Sequence, residues 1–209
     1  MKFENVRVMN FENALRGMRN PLESYHLSDT YHGFAIDIPD HIIQERTNGQ
    51  DYVVLSKDNC SAYDEPIVEF LSIGPNDMRL AQNLIKGGSE HRKFLRQIFV
   101  SVDITAPLFW WKEADTYRVG VTANSTSTMH TLAKNPIALE CFEIDDYNNL
   151  EFDGGEVEGL ITYLEQLRQK YLETKDKKYW KELIRWLPES WLQTRTVTMS
   201  YENLFNIVH

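Results

Sequence analysis

The chain is poor in cysteine, has no long apolar stretch and carries no excess of positive charge, and each shortage excludes a class of protein. Its 209 residues include two cysteines, Cys60 and Cys141, too few and too far apart for a disulfide framework. No apolar run reaches the roughly 18 residues that a membrane-spanning helix needs, so we expect no membrane partner. The formal net charge of -9 disfavours DNA as a partner, because a phosphate backbone requires a basic surface.

The composition is that of a globular protein. Hydrophobic residues make up 42% of the chain and aromatic residues 12%, which suits a packed core. The N-terminal segment mixes charges and lacks the apolar centre of a signal peptide. We therefore expect a single cytoplasmic domain over residues 1–209. His26, His32 and His41 lack the spacing of paired metal ligands, so we expect no metal site.

Short strands and turns dominate the first part of the chain. β-Rich runs separated by turn formers predict strands at 32–38, 51–56 and 66–73. Asn76 or Asp77 is suited to cap a helix that continues to about residue 85.

The remainder of the chain combines strands with longer helices. The alternation in the later part of 91–105 predicts a strand, and the hydroxyl-rich segment 119–130 predicts a loop. Strong helical periodicity predicts helices at 155–174 and 177–186. A strand at 193–199 then leads into a last helix. The mixture predicts an α+β fold.

Several polar residues follow the predicted strand and its helix. They comprise Glu90-His91, then Thr116-Tyr117-Arg118, then the segment 124–128. Arginine can pair with a phosphate through two hydrogen bonds, and hydroxyl and amide groups can hold ring carbonyls or ribose. From spacing alone, a Ser/Thr-rich surface loop with a salt-bridged arginine is the interpretation that such a pattern favours.

These residues resemble the flavin-dependent thymidylate synthases, the thymidylate synthase complementing protein family. That family carries a Glu-His pair, an apolar strand and the motif R-H-R-x-x-S-x-N-E-x-S-x-R-Y. Placing the pair on Glu90-His91 places the third motif residue on Arg118 without a gap. One added residue then places the motif's Asn on Asn124 and its second Ser on Ser127.

The C-terminal residues extend the resemblance. The family has Leu-Pro, a strand, and a helix with the pattern N-x-R-x-L-x-N, which fall here on Leu187-Pro188 and positions 200 to 206. Asn206 keeps its flavin-contacting position, whereas Ser200 replaces Asn and Glu202 replaces Arg. The family's upstream substrate-binding arginine aligns with Ile184, one position before Arg185.

The departures mark a divergent member with a degenerate signature motif. The first motif Arg and the His become Thr116 and Tyr117. The Glu becomes Ser125, and the closing Arg-Tyr becomes Met129-His130. The resemblance is strongest over residues 75–209.

The resemblance implies an antiparallel sheet with flanking helices and a homotetramer that binds FAD at subunit interfaces. NADPH would reduce the flavin, and methylenetetrahydrofolate would methylate deoxyuridine monophosphate at C5. It assigns FAD binding to His91, Arg118, Asn124 and Asn206, and nucleotide binding to Ser125, Ser127 and Arg185, with Ser127 also the catalytic candidate. We expect His91, Arg118, Asn124, Ser127 and Asn206 to meet around one ligand cleft.

Two alternatives stay open at the level of the sequence. A non-catalytic or altered-specificity homologue would keep the fold and bind a nucleotide or a protein partner. An acidic interaction protein would use its negative charge to engage basic partners. The charge is spread without a block of five like residues, so this last alternative ranks third.

Overall fold

The computed structural model describes residues 1–36, 51–58, 67–144 and 155–208. The strands are β1 (Lys2–Met9), β2 (Tyr31–Ile36), β3 (Asp51–Asp58), β4 (Ile67–Ile73), β5 (Phe99–Pro107), β6 (Thr122–Ser125) and β7 (Leu192–Ser200). The α-helices are α1 (Phe11–Gly17), α2 (Pro75–Lys86), α3 (Leu108–Ala114), α4 (Thr128–Thr131), α5 (Glu156–Thr174), α6 (Lys177–Trp186) and α7 (Tyr201–Val208). Within these described ranges, no helix is both long and apolar enough to cross a membrane.

The strands form two sheets. A three-stranded sheet has the order β2-β4-β3, and both pairings are antiparallel. Tyr31 lies opposite Ser72, and Asp51 lies opposite Ile73. A four-stranded sheet has the order β1-β5-β7-β6. The predicted α+β class, with an antiparallel sheet and flanking helices, is confirmed.

The chain divides into two compact units. The first unit comprises Met1–Glu4, Asp103–Arg118 and Ala123–Thr196, and the second comprises Asn5–Val102, Val119–Thr122 and Val197–His209. The single domain expected from chain length stays a prediction.

The first unit has a core built on the helices α5 and α6. Periodic leucines supply its centre, because residues three or four apart share one helix face. Its buried residues are Leu132, Ile137, Phe142, Leu164, Leu167 and Leu183. Arg168 is also buried, and it donates to the carboxylate of Glu165 from Nη2 at 2.6 Å and to the Ala133 carbonyl at 3.1 Å. The predicted helices 155–174 and 177–186 are confirmed to within one residue.

The second unit has its own core around α1. The apolar residues of this segment recur with helical spacing, so one face packs against β4, α2 and the turn before β5. The buried members of this core are Phe11, Ala14, Leu15, Met18, Leu71, Ile73, Ala81, Phe94, Leu95 and Ile98.

A buried ion pair ties the end of α1 to α2. Arg19 donates from Nε to Asp77 Oδ1 at 2.7 Å, and its Nη2 lies 2.6 Å from the same oxygen in ion-pair but not hydrogen-bond geometry. Ser28 Oγ donates to the other oxygen of Asp77 at 2.6 Å. Burial would raise the pKa of Asp77, but hydrogen bonds from Ser28, Thr30 and Arg19 hold it below its ordinary value.

The start of α2 differs from the prediction. The helix begins at Pro75 after Gly74, so neither Asn76 nor Asp77 caps it. The carboxylate of Asp29 does so from a distant segment, accepting from the backbone N–H groups of Asn76 at 2.9 Å and Asp77 at 3.1 Å. The free N–H groups at the start of this helix are therefore satisfied by a residue that is distant in sequence.

Candidate functional site

A cleft of about 440 Å³ opens in the second unit beside α7. It combines charged, amide and apolar side chains with one glycine. The lining residues are Arg96, Phe99, Val119, Gly120, Ser200, Glu202, Asn203 and Asn206. A volume of this size lies in the range that is typical of small-molecule sites.

The first turn of α7 is fixed by reciprocal hydrogen bonds. Ser200 Oγ accepts from the backbone N–H of Asn203 at 3.3 Å. Asn203 Oδ1 in turn accepts from the backbone N–H of Ser200 at 3.1 Å and from its hydroxyl at 2.6 Å. This is the geometry of a capping box, with Asn in the place of Glu or Gln. Ser200, the residue before the predicted last helix, is thus its cap.

Asn203 also contacts the turn at Val119 and Gly120, two further residues that line the cleft. Its Nδ2 donates to the backbone carbonyl of Val119. The next residue, Gly120, has φ of +74°, and a Cβ atom there would lie 3.1 Å from Asn203 Oδ1. A residue with a side chain would be strained and crowded, so glycine allows this turn to approach α7 closely.

Two arginines converge on the buried carboxylate of Glu202. Arg92 Nε donates to Oε1 at 3.1 Å, and Arg96 Nε donates to Oε2. Arg92 also donates to Asn206 Oδ1 at 3.3 Å, and its guanidinium lies 4.4 Å from the ring centre of Phe205. The Glu202 side chain is 10% exposed and that of Arg96 is 48% exposed, so Arg96 offers its cation to solvent.

This cluster carries net positive charge. Burial would raise the pKa of Glu202, but hydrogen bonds from Arg96 and Arg92 outweigh burial and lower it. The hydrogen bond to Glu202 raises the pKa of Arg96. Glu202 is therefore ionised at neutral pH beside the guanidinium groups of Arg92 and Arg96, and two cations against one anion favour an anionic ligand.

Of the predicted site residues, Asn206 and His91 belong to the second unit. Asn206 lines the cleft. His91 is exposed, and its ring lies against Gly87, where a carbon atom of the ring is 3.1 Å from the position of an added Cβ. Asn206 is thus part of the cleft described above, and His91 is not among the residues that line it.

The remaining predicted residues belong to the first unit. Arg118 is exposed and donates from Nε to the carbonyl of Asp115 at 3.0 Å. Asn124 and Ser125 are exposed on β6. The convergence of His91, Arg118, Asn124, Ser127 and Asn206 on one cleft stays a prediction.

Ser127 and Arg185 have local roles within the first unit. Ser127 precedes α4, and its backbone carbonyl accepts from the backbone N–H of Thr131 at 2.9 Å. Arg185 is exposed on α6 and forms an ion pair with Glu182. The segment 119–130, predicted as a loop, contains β6 and most of α4. Directly after β6, the backbone N–H of Thr126 donates to the Thr194 carbonyl at 2.9 Å.

Sequence reasoning missed the two arginines that pair with Glu202 and a third arginine in the first unit. Arg92 directly follows Glu90-His91, and Arg96 lies four residues further along the chain. The substitution at position 202 was the available signal, because a buried carboxylate needs cationic partners. Arg195 pairs with Asp115 Oδ1 at 2.7 Å and lies 4.2 Å from the ring centre of Trp111.

Comparisons with known proteins identify the fold. No protein-family model matches the chain, and no curated protein sequence matches it. The crystal structure of flavin-dependent thymidylate synthase ThyX from Helicobacter pylori, complexed with FAD and dUMP, superposes with a TM-score of 0.57 at 17% identity, over 99% of this chain and 82% of that one. A second structure of this enzyme, at 2.31 Å resolution with FAD and dUMP, gives 0.56 and 17%, over 98% and 82%. The chain has the fold of the flavin-dependent thymidylate synthases.

Proposed function

We propose that the chain is a FAD-dependent enzyme of the thymidylate synthase type, which methylates a deoxyuridine monophosphate with methylenetetrahydrofolate and NADPH. The observation that carries this proposal is the arginine-containing cleft beside α7, the helix to which the resemblance assigns the flavin contact of Asn206. The shared fold supports the same reaction class, although fold alone does not fix chemistry.

The residues of the cleft fit a flavin. Phe99 and Val119 are exposed apolar side chains suited to pack on a flat ring. Arg96 and Asn206 supply polar groups for ring carbonyls or phosphate. Gly120 leaves free the space beside Asn203 that a Cβ would crowd. When bound, FAD would supply the redox chemistry of the reaction.

The task of the protein's own residues is to bind and orient. In this proposal His91, Arg118, Asn124 and Asn206 hold FAD, and the Arg118 guanidinium neutralises phosphate. Ser125, Ser127 and Arg185 hold the deoxyuridine nucleotide, with Ser127 next to the pyrimidine. The protein acts as a homotetramer in the cytoplasm. No nucleophilic cysteine is required.

An assay with omitted components tests the reaction. Purified protein is incubated with FAD, NADPH, methylenetetrahydrofolate and dUMP, and the formation of dTMP is followed by chromatography. We expect dTMP only when all four are present, and Ser127→Ala should lower the rate at least about tenfold if Ser127 positions the pyrimidine. The proposal fails if the complete mixture yields no dTMP.

An altered-specificity or non-catalytic homologue is the second candidate. The observation that favours it is Glu202, which occupies an arginine position of the family and is committed to an ion-pair cluster. Expression in a thymidine-requiring strain separates the two candidates, with Ser127→Ala as the matched control. Growth without thymidine, dependent on Ser127, would refute the second candidate. Failure to grow, together with binding of a nucleotide by the purified protein, would support it.

A further inference from the structure

The charge at position 202 is opposite to the one that the family resemblance predicts, yet Arg92 and Arg96 give the cluster around Glu202 a net positive charge. Glu202 is buried, and Arg92 and Arg96 reach it from the turn before β5. A lone carboxylate in a cleft would repel phosphates and electron-rich ring oxygens. The two guanidinium groups reverse that effect.

We propose that Arg96 is the ligand-contacting cation of this cleft, taking the place of the arginine expected at position 202, and that Glu202 positions it. Its partner would be an electron-rich ligand oxygen, either of a phosphate or of a ring carbonyl. The assignment of that oxygen to FAD or to the nucleotide rests on the proposed function.

Part of the Arg96 guanidinium group is bound to the protein, and the rest is accessible to a ligand. Nε donates to Glu202 Oε2, and Nη2 donates to the carbonyl of Ser89 at 3.3 Å. These bonds fix the plane of the group, and 48% of the side chain stays exposed at the cleft. A guanidinium held in this way loses little conformational freedom when it binds an anion.

Arg92 has a different role. Its side chain is 18% exposed, and it is occupied by Glu202, Asn206 and the ring of Phe205. It does not belong to the residues that line the cleft. Because Arg92 donates to Asn206 Oδ1, the donor group of this cleft-lining amide is its Nδ2.

Ligand titrations of matched variants test this assignment. Arg96→Gln removes the cation, and Arg79→Gln removes an exposed arginine of α2 outside the cleft. FAD binding is followed by flavin fluorescence, and dUMP and inorganic phosphate binding by calorimetry. We expect Arg96→Gln to weaken FAD or dUMP about 10- to 100-fold, as for loss of a charged hydrogen bond. The ligand that loses affinity identifies the source of the oxygen. Arg79→Gln should stay within about twofold, because surface charge acts weakly at a distance.

Two double variants distinguish loss of the ligand contact from misfolding caused by an unpaired buried carboxylate. Arg96→Gln with Glu202→Gln removes both charges and leaves no unpaired carboxylate, and it should bind as weakly as Arg96→Gln. Arg96→Glu with Glu202→Arg exchanges the two groups. It should bind at least about tenfold more tightly than Arg96→Glu alone, because it returns a guanidinium to the cleft.

The outcomes separate this inference from the proposed function. If the wild type binds FAD or dUMP and both Arg96→Gln variants bind equally well, Arg96 is not the cation. If the wild type binds neither, the proposed function fails, and the phosphate titration then tests the role of Arg96. Phosphate binding by the wild type that is lost in Arg96→Gln would support Arg96 as the ligand-contacting cation. Equal phosphate binding, or none by the wild type, overturns this assignment.

Discussion

At the scale of residues, a carboxylate inside this protein keeps its charge when several donors surround it. Glu165 shows this in the first unit. It accepts from Arg168 Nε at 2.7 Å and from the backbone N–H of Ile137 at 2.8 Å. The Arg168 hydrogen bonds, more than any other cause, lower the pKa of Glu165 from 4.5 to about 2. Hydrogen bonds from Arg96 and Arg92 likewise lower the pKa of Glu202 in the cleft, against the effect of burial.

This pairing predicts how stability depends on pH. Because the folded pKa of Glu165 is depressed, its contribution is complete above about pH 4.5 and is lost as the pH falls toward 2. The shift corresponds to at most about 3 kcal/mol. We expect Glu165→Gln to lower the free energy of unfolding by about 1–3 kcal/mol at pH 7, and the difference from wild type to vanish near pH 2.

Urea unfolding followed by circular dichroism between pH 7 and pH 2 measures this difference. Glu173→Gln is the matched control, because Glu173 lies on the same helix and pairs with Lys170 at 3.1 Å in solvent. It should change stability by less than about 0.5 kcal/mol at every pH. A Glu165→Gln deficit that stays constant below pH 4.5 would contradict the assigned pKa.

At the scale of elements, the cleft depends on the close approach of the turn at Gly120 to α7. Gly120→Ala introduces a Cβ at φ of +74°, 3.1 Å from Asn203 Oδ1. We expect unfolding free energy to fall by more than about 1 kcal/mol, from backbone strain together with crowding of the cap. Thermal or urea unfolding measures it.

Gly88→Ala provides the control for backbone strain alone. Gly88 has φ of +96°, and an added Cβ would meet nothing within 4 Å. The two substitutions share a positive φ, so the excess loss in Gly120→Ala reports the contact with Asn203. If Gly88→Ala destabilises the protein as much as Gly120→Ala, the close approach contributes nothing.

The longer elements could be predicted from the sequence, because many residues repeat one pattern. The helix α5 has 19 residues and α6 has 10, and both follow the apolar period. The helix α1 was missed, since its seven residues give a short pattern that tertiary packing completes. The strand β6 was missed because four exposed residues give no alternation of burial.

The candidate site was predictable only in part. Asn206, which keeps a motif residue at the expected spacing, lines the cleft, and its flavin contact stays a prediction. Arg92 and Arg96 were not found, since their role depends on Glu202, which lies more than 100 positions away in sequence. Pairing across such a distance is set by tertiary structure and leaves no local pattern. A substitution that reverses charge is the only local trace.

At the scale of the whole molecule, fold and motif have diverged to different extents. The fold of the flavin-dependent thymidylate synthases spans 99% of the chain at 17% identity. In the described part of the chain, each unit has an apolar core of ordinary residues. Such cores tolerate extensive substitution when volume and pattern persist. Binding residues tolerate less, so replacements in the motif bear on ligand and reaction more than on architecture.

The absorption spectrum of the purified protein, followed by titration with FAD, tests the central claim most directly. The account predicts a yellow protein with a flavin band near about 450 nm, or an apoprotein that acquires this band and quenches flavin fluorescence as FAD is added. A folded protein that is colourless as purified and leaves the absorbance and fluorescence of added FAD unchanged would contradict it.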